Sequence, residues 1–253
     1  MFTIILKKNV HLASISGGTD VVGCLVLGNI FSNVYSGEIQ GESLGIDVDI
    51  FNEEGKKVNL GKKGELVVKK PFPTMPIKFW NDTNNKKFKK AYFSKYKNIW
   101  HHGDFVQKTV NGGFVILGRS DATLNPGGVR IGTAEIYRQV EKIEFVRESL
   151  VVGQDYDDDI RILLFVVLNM KNKLEKKDVE FIKGEIKKNC SPKHVPHKII
   201  QITEIPRTKS GKIVELAVKK AIHGEKIENL QALSNPNSIN FFKKFYKTKL
   251  IDE

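Results

Sequence analysis

The most informative segment of this 253-residue chain reads Gly118-Arg119-Ser120-Asp121-Ala122-Thr123-Leu124-Asn125-Pro126-Gly127-Gly128-Val129-Arg130-Ile131-Gly132-Thr133-Ala134-Glu135-Ile136. Two arginines bracket a glycine-rich turn, and a predicted helix begins at Thr133. Glycine allows the backbone to approach a ligand closely, and arginine forms charge-assisted hydrogen bonds with ribose or phosphate oxygens. A purely structural turn would not require both arginines, so the segment indicates a nucleotide site.

The residues before this segment predict a β-rich unit. Residues 47–51 alternate polar and apolar side chains, and Gly64–Val68 is a second predicted strand. Prolines at 71, 73 and 76 exclude a helix or a central strand there. Asn111-Gly112-Gly113 predicts a hairpin leading into a further strand. We therefore expect residues 1–120 to form one β-rich unit.

The residues after it predict alternating helices and strands. Helices are expected over 133–142, 176–188 and 213–222, and strands over 150–152, 160–168 and 199–205. This alternation predicts a small α/β domain over residues 121–225, so the fold class is mixed α+β. Residues 226–253 carry no clear pattern and are interpreted as a partly ordered C-terminal tail. The short polar boundary near Asp121 is either a passive linker or a hinge.

The charge and hydropathy of the chain restrict its expected binding partners and cellular compartment. The formal net charge is +12, carried mostly by lysine doublets without an arginine-rich stripe or an aromatic RNA-binding signature. We therefore expect a solvated basic surface that favours anionic small molecules, and no nucleic-acid partner. The apolar run at residues 1–6 is too short for a membrane span and lacks the charge order of a signal peptide. A cytoplasmic protein is the resulting expectation.

Three short motifs add candidate chemistry, and each has a plain structural alternative. Gly17-Gly18-Thr19-Asp20 could present amides and a hydroxyl to phosphate and a carboxylate to magnesium, or be an ordinary loop. Asp104, after a glycine, could accept hydrogen bonds from both ribose hydroxyls, or be a turn aspartate. Lys212, in Ser210-Gly211-Lys212, could reach a reacting phosphate as a mobile point charge, or be merely solvated.

Taken in this order, the motifs resemble the adenylate-forming (AMP-binding) superfamily over roughly residues 10–223. The resemblance implies that residues 1–120 are a β-rich remnant of the family's large N-terminal domain and that 121–225 are its mobile C-terminal lid domain. It implies Lys212 as the catalytic lysine, Asp121 as the hinge and Asp20 as the metal ligand, although most members have glutamate at that position. It also implies nucleotide-binding residues, namely Gly17, Gly18, Thr19, Asp104, Arg119 and Arg130. The implied coenzyme A-binding residues are Gly127, Gly128 and, on weaker grounds, Lys187 and Lys188.

The resemblance also implies the reaction and its substrates. ATP and magnesium would convert a carboxylate to an acyl-AMP, and coenzyme A would then displace AMP, without a prosthetic group. Among family members the sequence most resembles those that activate a short β-keto acid such as acetoacetate. Acetate-activating members carry bulky aromatics before the threonine, whereas Ser16, Gly17 and Gly18 leave room for a longer acid. Another short branched or keto acid would fit the same space.

The family also has a large N-terminal region with a phosphate loop that ends in lysine. No such segment precedes residue 10. We therefore expect the isolated chain to be inactive in acyl-adenylate formation and to need that region, which a separate polypeptide could supply. The alternative is a non-catalytic fragment or companion subunit that binds nucleotide or coenzyme A.

Overall fold

The computed structural model describes residues 10–169, 173–227 and 229–248, and it divides into two compact units between Ser120 and Asp121. The first unit is mostly β-sheet, and the second combines a sheet with helices. The predicted mixed α+β class is confirmed. Within the described ranges, no helix has the length and apolar character needed to cross a bilayer.

The first unit contains two antiparallel sheets. One has the strand order β1-β2-β3 and the other β4-β5-β6-β7. The elements are β1 Ser16–Gly18, β2 Gly23–Leu27, β3 Gly41–Glu42, β4 Val48–Phe51, β5 Lys63–Val68, α1 Lys86–Tyr92, β6 Trp100–Lys108 and β7 Phe114–Arg119. The predicted strands become β4, β5 and β7, and the predicted hairpin joins β6 to β7.

A single apolar cluster holds the first unit together. It joins Leu25 of the first sheet to Leu66 and Phe114 of the second, and it includes Phe88 of α1. Trp100 lies at its centre, with 2% of its surface exposed, and Tyr92 of α1 stacks on it at 3.7 Å between ring centroids. The sequence analysis did not predict α1, because four of its seven residues are lysine and only Phe88 is buried.

The second unit is a three-stranded sheet between two helical layers. Its order is β10-β9-β8, with β8 and β9 antiparallel and β9 and β10 parallel. The elements are α2 Thr133–Val140, β8 Val146–Tyr156, β9 Asp159–Leu168, α3 Lys176–Asn189, β10 Lys198–Gln201, α4 Glu215–Ile222 and α5 Ile239–Thr248. Alternate residues of β9 enter two cores, one shared with α2 and α3 and the other with α4 and α5. Burial on both faces explains the unbroken apolar run of β9.

The interpretation of residues 226–253 as a partly ordered tail is wrong for most of that segment. Leu233, Ile239 and Phe242 are buried in the second core, and the Phe242 ring lies 4.9 Å from that of Phe165. The apolar residues of α5 lie on one face of the helix and its lysines on the other, so a helical pattern is present that the sequence-based assignment overlooked. Several boundaries also differ, since β8 extends over Val146–Tyr156, β10 ends at Gln201 and α4 begins at Glu215.

Candidate functional site

Asp104 and Arg119 face each other on adjacent strands of the first unit. They are paired in the register of β6 and β7, and the Arg119 Nη1 donates to Asp104 Oδ1 at 3.1 Å. Asp104 is 6% exposed, whereas half of the Arg119 side chain is exposed. The structure therefore brings together two residues that were selected separately from the sequence, with a carboxylate set in the sheet beside an accessible guanidinium.

Gly103 makes this pair possible. Its φ is +84°, which favours glycine, and a β-carbon there would lie 2.8 Å from Arg119 Nη2. A larger residue would therefore push the guanidinium away from the sheet. The glycine in His102-Gly103-Asp104 is thus explained by the approach of Arg119 and not by a turn.

His102 also contacts this pair, and the sequence analysis assigned it no role. Its Nε2 lies 3.7 Å from Asp104 Oδ2, and its Nδ1 accepts from Trp100 Nε1 at 3.5 Å. Burial lowers the pKa of His102, while the Asp104 charge and a hydrogen bond to the Gly17 backbone oppose that change. A neutral imidazole thus connects β1 to Asp104. The signal in the sequence was a histidine placed two residues before the aspartate on one face of a strand.

Strand β1 packs against the same carboxylate. The Ser16 Oγ donates to Asp104 Oδ2 at 3.4 Å. A β-carbon on Gly17 would lie 2.1 Å from the Gly23 carbonyl oxygen, and one on Gly18 would lie 3.1 Å from the His102 ring. Both glycines therefore have a packing reason of their own. The same packing places them beside the Asp104 carboxylate.

Thr19 and Asp20 lie exposed in the turn between β1 and β2. The Asp20 Oδ2 accepts a hydrogen bond from the Tyr92 hydroxyl, which orients the carboxylate. Magnesium is commonly held by one or two carboxylates together with substrate phosphates. Asp20 fits that single-carboxylate role, and no group of three potential metal-binding side chains occurs among the residues that the structure describes.

Glu65 is a second buried carboxylate that the sequence analysis missed. It is 0% exposed and contacts Lys95 Nζ at 2.7 Å and His101 Nε2 at 3.0 Å. The Ser120 hydroxyl, at the end of the unit, also donates to it. The available signal was a glutamate directly before the apolar residues 66–68 of strand β5.

The glycine loop of the second unit is closed by a backbone bridge and held at its tip. Leu124 and Ile131 exchange two hydrogen bonds of 2.9 Å. Gly127 and Gly128 both have positive φ, at 56° and 76°, and are exposed. The Gly127 amide donates to the Asp159 carboxylate at 2.8 Å, which is the main reason that the pKa of Asp159 is lowered. The predicted glycine pair therefore has a defined conformation.

The other predicted residues of this unit lie at its surface. Gly128 lines an open groove of about 630 Å³ together with Asn125 and the β8–β9 turn, residues 155–160. Arg130 is half-buried at the end of the glycine loop, and Asp121 is the exposed first residue of the unit. Lys187 and Lys188 are exposed in the last turn of α3.

Lys212 lies at the exposed tip of a tight loop between β10 and α4. Arg207 and Ile213 form a bridge at its base. Within the loop, the Thr208 amide donates to the Lys212 carbonyl at 2.8 Å, and the Lys212 amide donates to Thr208 Oγ1 at 3.1 Å. Gly211 adopts a φ of +84° that allows the turn. The loop thus fixes the lysine backbone and leaves its ammonium in solvent.

Known proteins resemble nearly the whole chain. No protein-family model matches it. It is 55% identical over 237 residues, or 94% of its length, to the acetoacetyl-coenzyme A synthetase of Rhizobium meliloti (strain 1021). A solved structure of acetoacetyl-CoA synthetase from Streptomyces lividans matches 94% of it with a TM-score of 0.87 and 38% identity. A benzoate CoA ligase from Burkholderia xenovorans LB400 shares the fold, at a TM-score of 0.72 and 24% identity over 86% of the chain.

These matches cover only part of each relative. The chain spans 36% of the Rhizobium meliloti and Streptomyces lividans proteins and 42% of the Burkholderia xenovorans structure. The similarity corresponds to a C-terminal portion of such proteins.

Proposed function

We propose, from the premise that this chain is a C-terminal portion of an adenylate-forming family protein, that it serves an ATP-dependent ligase joining acetoacetate to coenzyme A. The reaction would pass through an acyl-AMP intermediate. The first unit would bind the nucleotide, and the second would supply a lysine to the first step and the glycine loop to the second.

The observation that carries this proposal is the Asp104–Arg119 pair. Its carboxylate is mostly buried and held by a guanidinium, and it can accept hydrogen bonds from two vicinal ribose hydroxyls. Ser16 and His102 fix its second oxygen, so the acceptor is oriented before the ligand arrives. We assign ribose binding to Asp104, with Arg119 assisting it.

Lys212 would act in adenylate formation. As a carboxylate attacks the α-phosphate of ATP, negative charge accumulates on the reacting oxygens, and an ammonium stabilises it electrostatically. Thr19, Arg130 and the Gly17-Gly18 backbone would contact the phosphates. Asp20 would hold a magnesium ion, whose chemistry is to neutralise phosphate charge.

The glycine loop would act in thioester formation. Gly127 and Gly128 carry no side chains and are exposed, so a slender pantetheine arm could pass against their backbone. Exposed Lys187 and Lys188 would attract the coenzyme A phosphates. Rotation of the second unit about Asp121 would exchange Lys212 for this loop between the two steps.

Two observations support acetoacetate as the acid. The Rhizobium meliloti relative at 55% identity is an acetoacetyl-coenzyme A synthetase. In addition, Ser16, Gly17 and Gly18 place no bulky side chain before Thr19. A panel of acetate, acetoacetate, 3-hydroxybutyrate and isobutyrate, assayed by pyrophosphate release on the enzyme with the complete family fold, tests the assignment. Acetoacetate should give the highest kcat/KM, and preference for acetate would contradict it.

We also propose that the 253 residues alone are inactive in adenylation. Large apolar side chains are exposed on the first unit, including Phe31 at 91%, Leu44 at 97% and Trp80 at 90%. Exposed apolar surface of this kind is typical of a face that packs on further protein. Stoichiometric release of pyrophosphate by the isolated chain, with acetoacetate, ATP and magnesium, would contradict this proposal.

A further inference from the structure

A segment near the C-terminus pairs with the loop that carries Lys212. The Lys209 amide donates to the Ala232 carbonyl at 3.0 Å, and the Ser234 amide donates to the Arg207 carbonyl at 2.8 Å. Thr208 and Leu233 form an antiparallel bridge between these two bonds. The first three residues of the lysine loop are therefore paired with residues 232–234, as in a short two-stranded ribbon.

The Asn235 side chain extends this pairing. Its Oδ1 accepts from the Arg207 amide at 2.9 Å, and its Nδ2 donates to the Ile205 carbonyl at 2.9 Å and to Glu204 Oε2 at 2.7 Å. One amide group thus satisfies a backbone donor and a backbone acceptor where the chain enters the loop. A primary amide offers both functions at once, which neither a carboxylate nor an alkyl group can do.

The segment that presents Asn235 is itself fixed in the protein interior. Leu233 precedes it with 7% of its surface exposed, and Ile239 follows it with 1% exposed. Both belong to the core that also contains Phe165 of β9 and Phe242 of α5. Residues 232–235 are therefore anchored in a close-packed core at one side and hydrogen-bonded to an exposed loop at the other.

The restraint reaches Lys212 through Thr208. Thr208 pairs with Leu233 on one side and makes two hydrogen bonds with the Lys212 backbone on the other. Arg207, whose amide Asn235 holds, also donates from Nη1 to the Gly211 carbonyl at 2.7 Å. One route therefore ends at the backbone of Lys212 and the other at the backbone of Gly211, the residue before it.

We propose that Asn235 is a positioning residue for Lys212, and that the segment 232–235 serves as a brace for the lysine loop. The inference rests on the proposed catalytic role of Lys212. An ammonium on a long, flexible side chain stabilises a transition state only if its backbone is placed within about 1 Å of the productive position. Loosening the loop therefore lowers the rate of the step that uses the lysine and leaves the other step unchanged.

The first experiment measures the brace without reference to activity. Hydrogen exchange is followed in the 253-residue chain for Asn235→Ala and for Asn237→Ala, an exposed asparagine two residues away. Loss of a net hydrogen bond should accelerate exchange of the Arg207, Lys209 and Lys212 amides about tenfold in N235A and leave it unchanged in N237A. Equal exchange in the two variants, or acceleration throughout the second unit, would overturn the brace.

Replacing the amide by a carboxylate tests whether the Asn235 side chain must donate as well as accept hydrogen bonds. Asn235→Asp keeps the acceptor for the Arg207 amide but places a second carboxylate beside Glu204. The amides of Arg207, Lys209 and Lys212 should therefore exchange faster in N235D than in the parent. Adding Glu204→Gln supplies a donor to the new carboxylate and should recover part of the protection, while the Ile205 carbonyl still lacks the donor that the amide provided. A double variant no better protected than N235D would contradict the proposed contact.

The second experiment separates the two half-reactions in the enzyme with the complete family fold. N235A should lower kcat for acetoacetate-dependent ATP–pyrophosphate exchange about tenfold or more with little change in the KM for ATP. Its conversion of supplied acetoacetyl-AMP and coenzyme A to the thioester should match that of N237A. An equal fall in both half-reactions would indicate general destabilisation and overturn the positioning role. If Lys212→Ala leaves the rate of ATP–pyrophosphate exchange unaffected, the proposed function fails. The hydrogen-exchange result on Asn235 stands independently of that outcome.

Discussion

The Asp104–Arg119 pair and the Lys212 loop are held by different kinds of structure. Asp104 lies inside a four-stranded sheet, 6% exposed, with side-chain contacts to Arg119, Ser16 and His102. Lys212 lies at an exposed loop tip whose contacts are mostly backbone hydrogen bonds. The first arrangement suits a ligand contact that persists through the reaction. The second suits a charge that enters for one step and then leaves.

The largest expected effect comes from removing the lysine. Lys212→Ala should lower the rate of acetoacetate-dependent pyrophosphate exchange by about 10²–10³-fold, because one electrostatic contact to the transition state is lost. Lys209→Ala, an exposed lysine of the same loop, is the matched control and should stay near the parent rate. Equal losses in the two variants would mean that the loop contributes general positive charge and not a placed ammonium.

The next effect concerns nucleotide affinity. Asp104→Ala should raise the KM for ATP by about 10–100-fold, since charge-assisted hydrogen bonds to the ribose would be lost. Initial-rate kinetics with ATP and with 2′-deoxy-ATP measure this directly. The parent should discriminate against the deoxynucleotide, and D104A should not. Discrimination that persists in D104A would remove the ribose assignment.

A stability effect should follow from the buried carboxylate behind the pair. Replacing Glu65 by Ala leaves Lys95 and His101 without their carboxylate and should reduce the free energy of unfolding by about 3 kcal/mol. Urea denaturation of the 253-residue chain measures the change, with the exposed Glu54→Gln as control. Similar unfolding midpoints for both variants would show that the network contributes little to stability.

The smallest expected effect is a pH dependence from His102. Burial lowers its pKa below the ordinary value of about 6.5, so the unfolded chain binds a proton more readily than the folded one. The stability due to a neutral His102 is therefore fully present above pH 6.5 and is lost as the pH falls through the lowered pKa. His102→Gln should flatten this part of the stability curve. An unchanged slope in H102Q would contradict the assignment.

Secondary-structure elements were predicted best where the local side-chain pattern matched a single type of element. The alternation in β4, the glycine turn of the β6–β7 hairpin and the apolar runs of β8 and β9 all predicted real elements. Helix α1 was missed because lysines make up most of it, whereas the amphipathic pattern of α5 was present and was overlooked. Their apolar residues pack on distant strands, and such tertiary contacts are not visible in local pattern.

The candidate site was predicted in its parts but not in its connections. Asp104, Arg119 and Lys212 stand out in the sequence because their residue types suit a ligand. His102, which contacts Asp104, and Asn235, which accepts from an amide of the lysine loop, do not stand out, since only the fold creates these contacts. Asn235 lies 28 residues from Arg207, whose amide it holds. Spacing alone could not have indicated that contact.

The most direct test of the contrast between the two regions is a parallel measurement of both half-reactions in K212A and D104A, in the enzyme with the complete family fold. We expect K212A to lose acyl-adenylate formation yet still to convert supplied acetoacetyl-AMP and coenzyme A to acetoacetyl-CoA at the parent rate. D104A should be impaired in both half-reactions, because its ribose contact persists. Loss of thioester formation in K212A, or loss of only one half-reaction in D104A, would contradict the account.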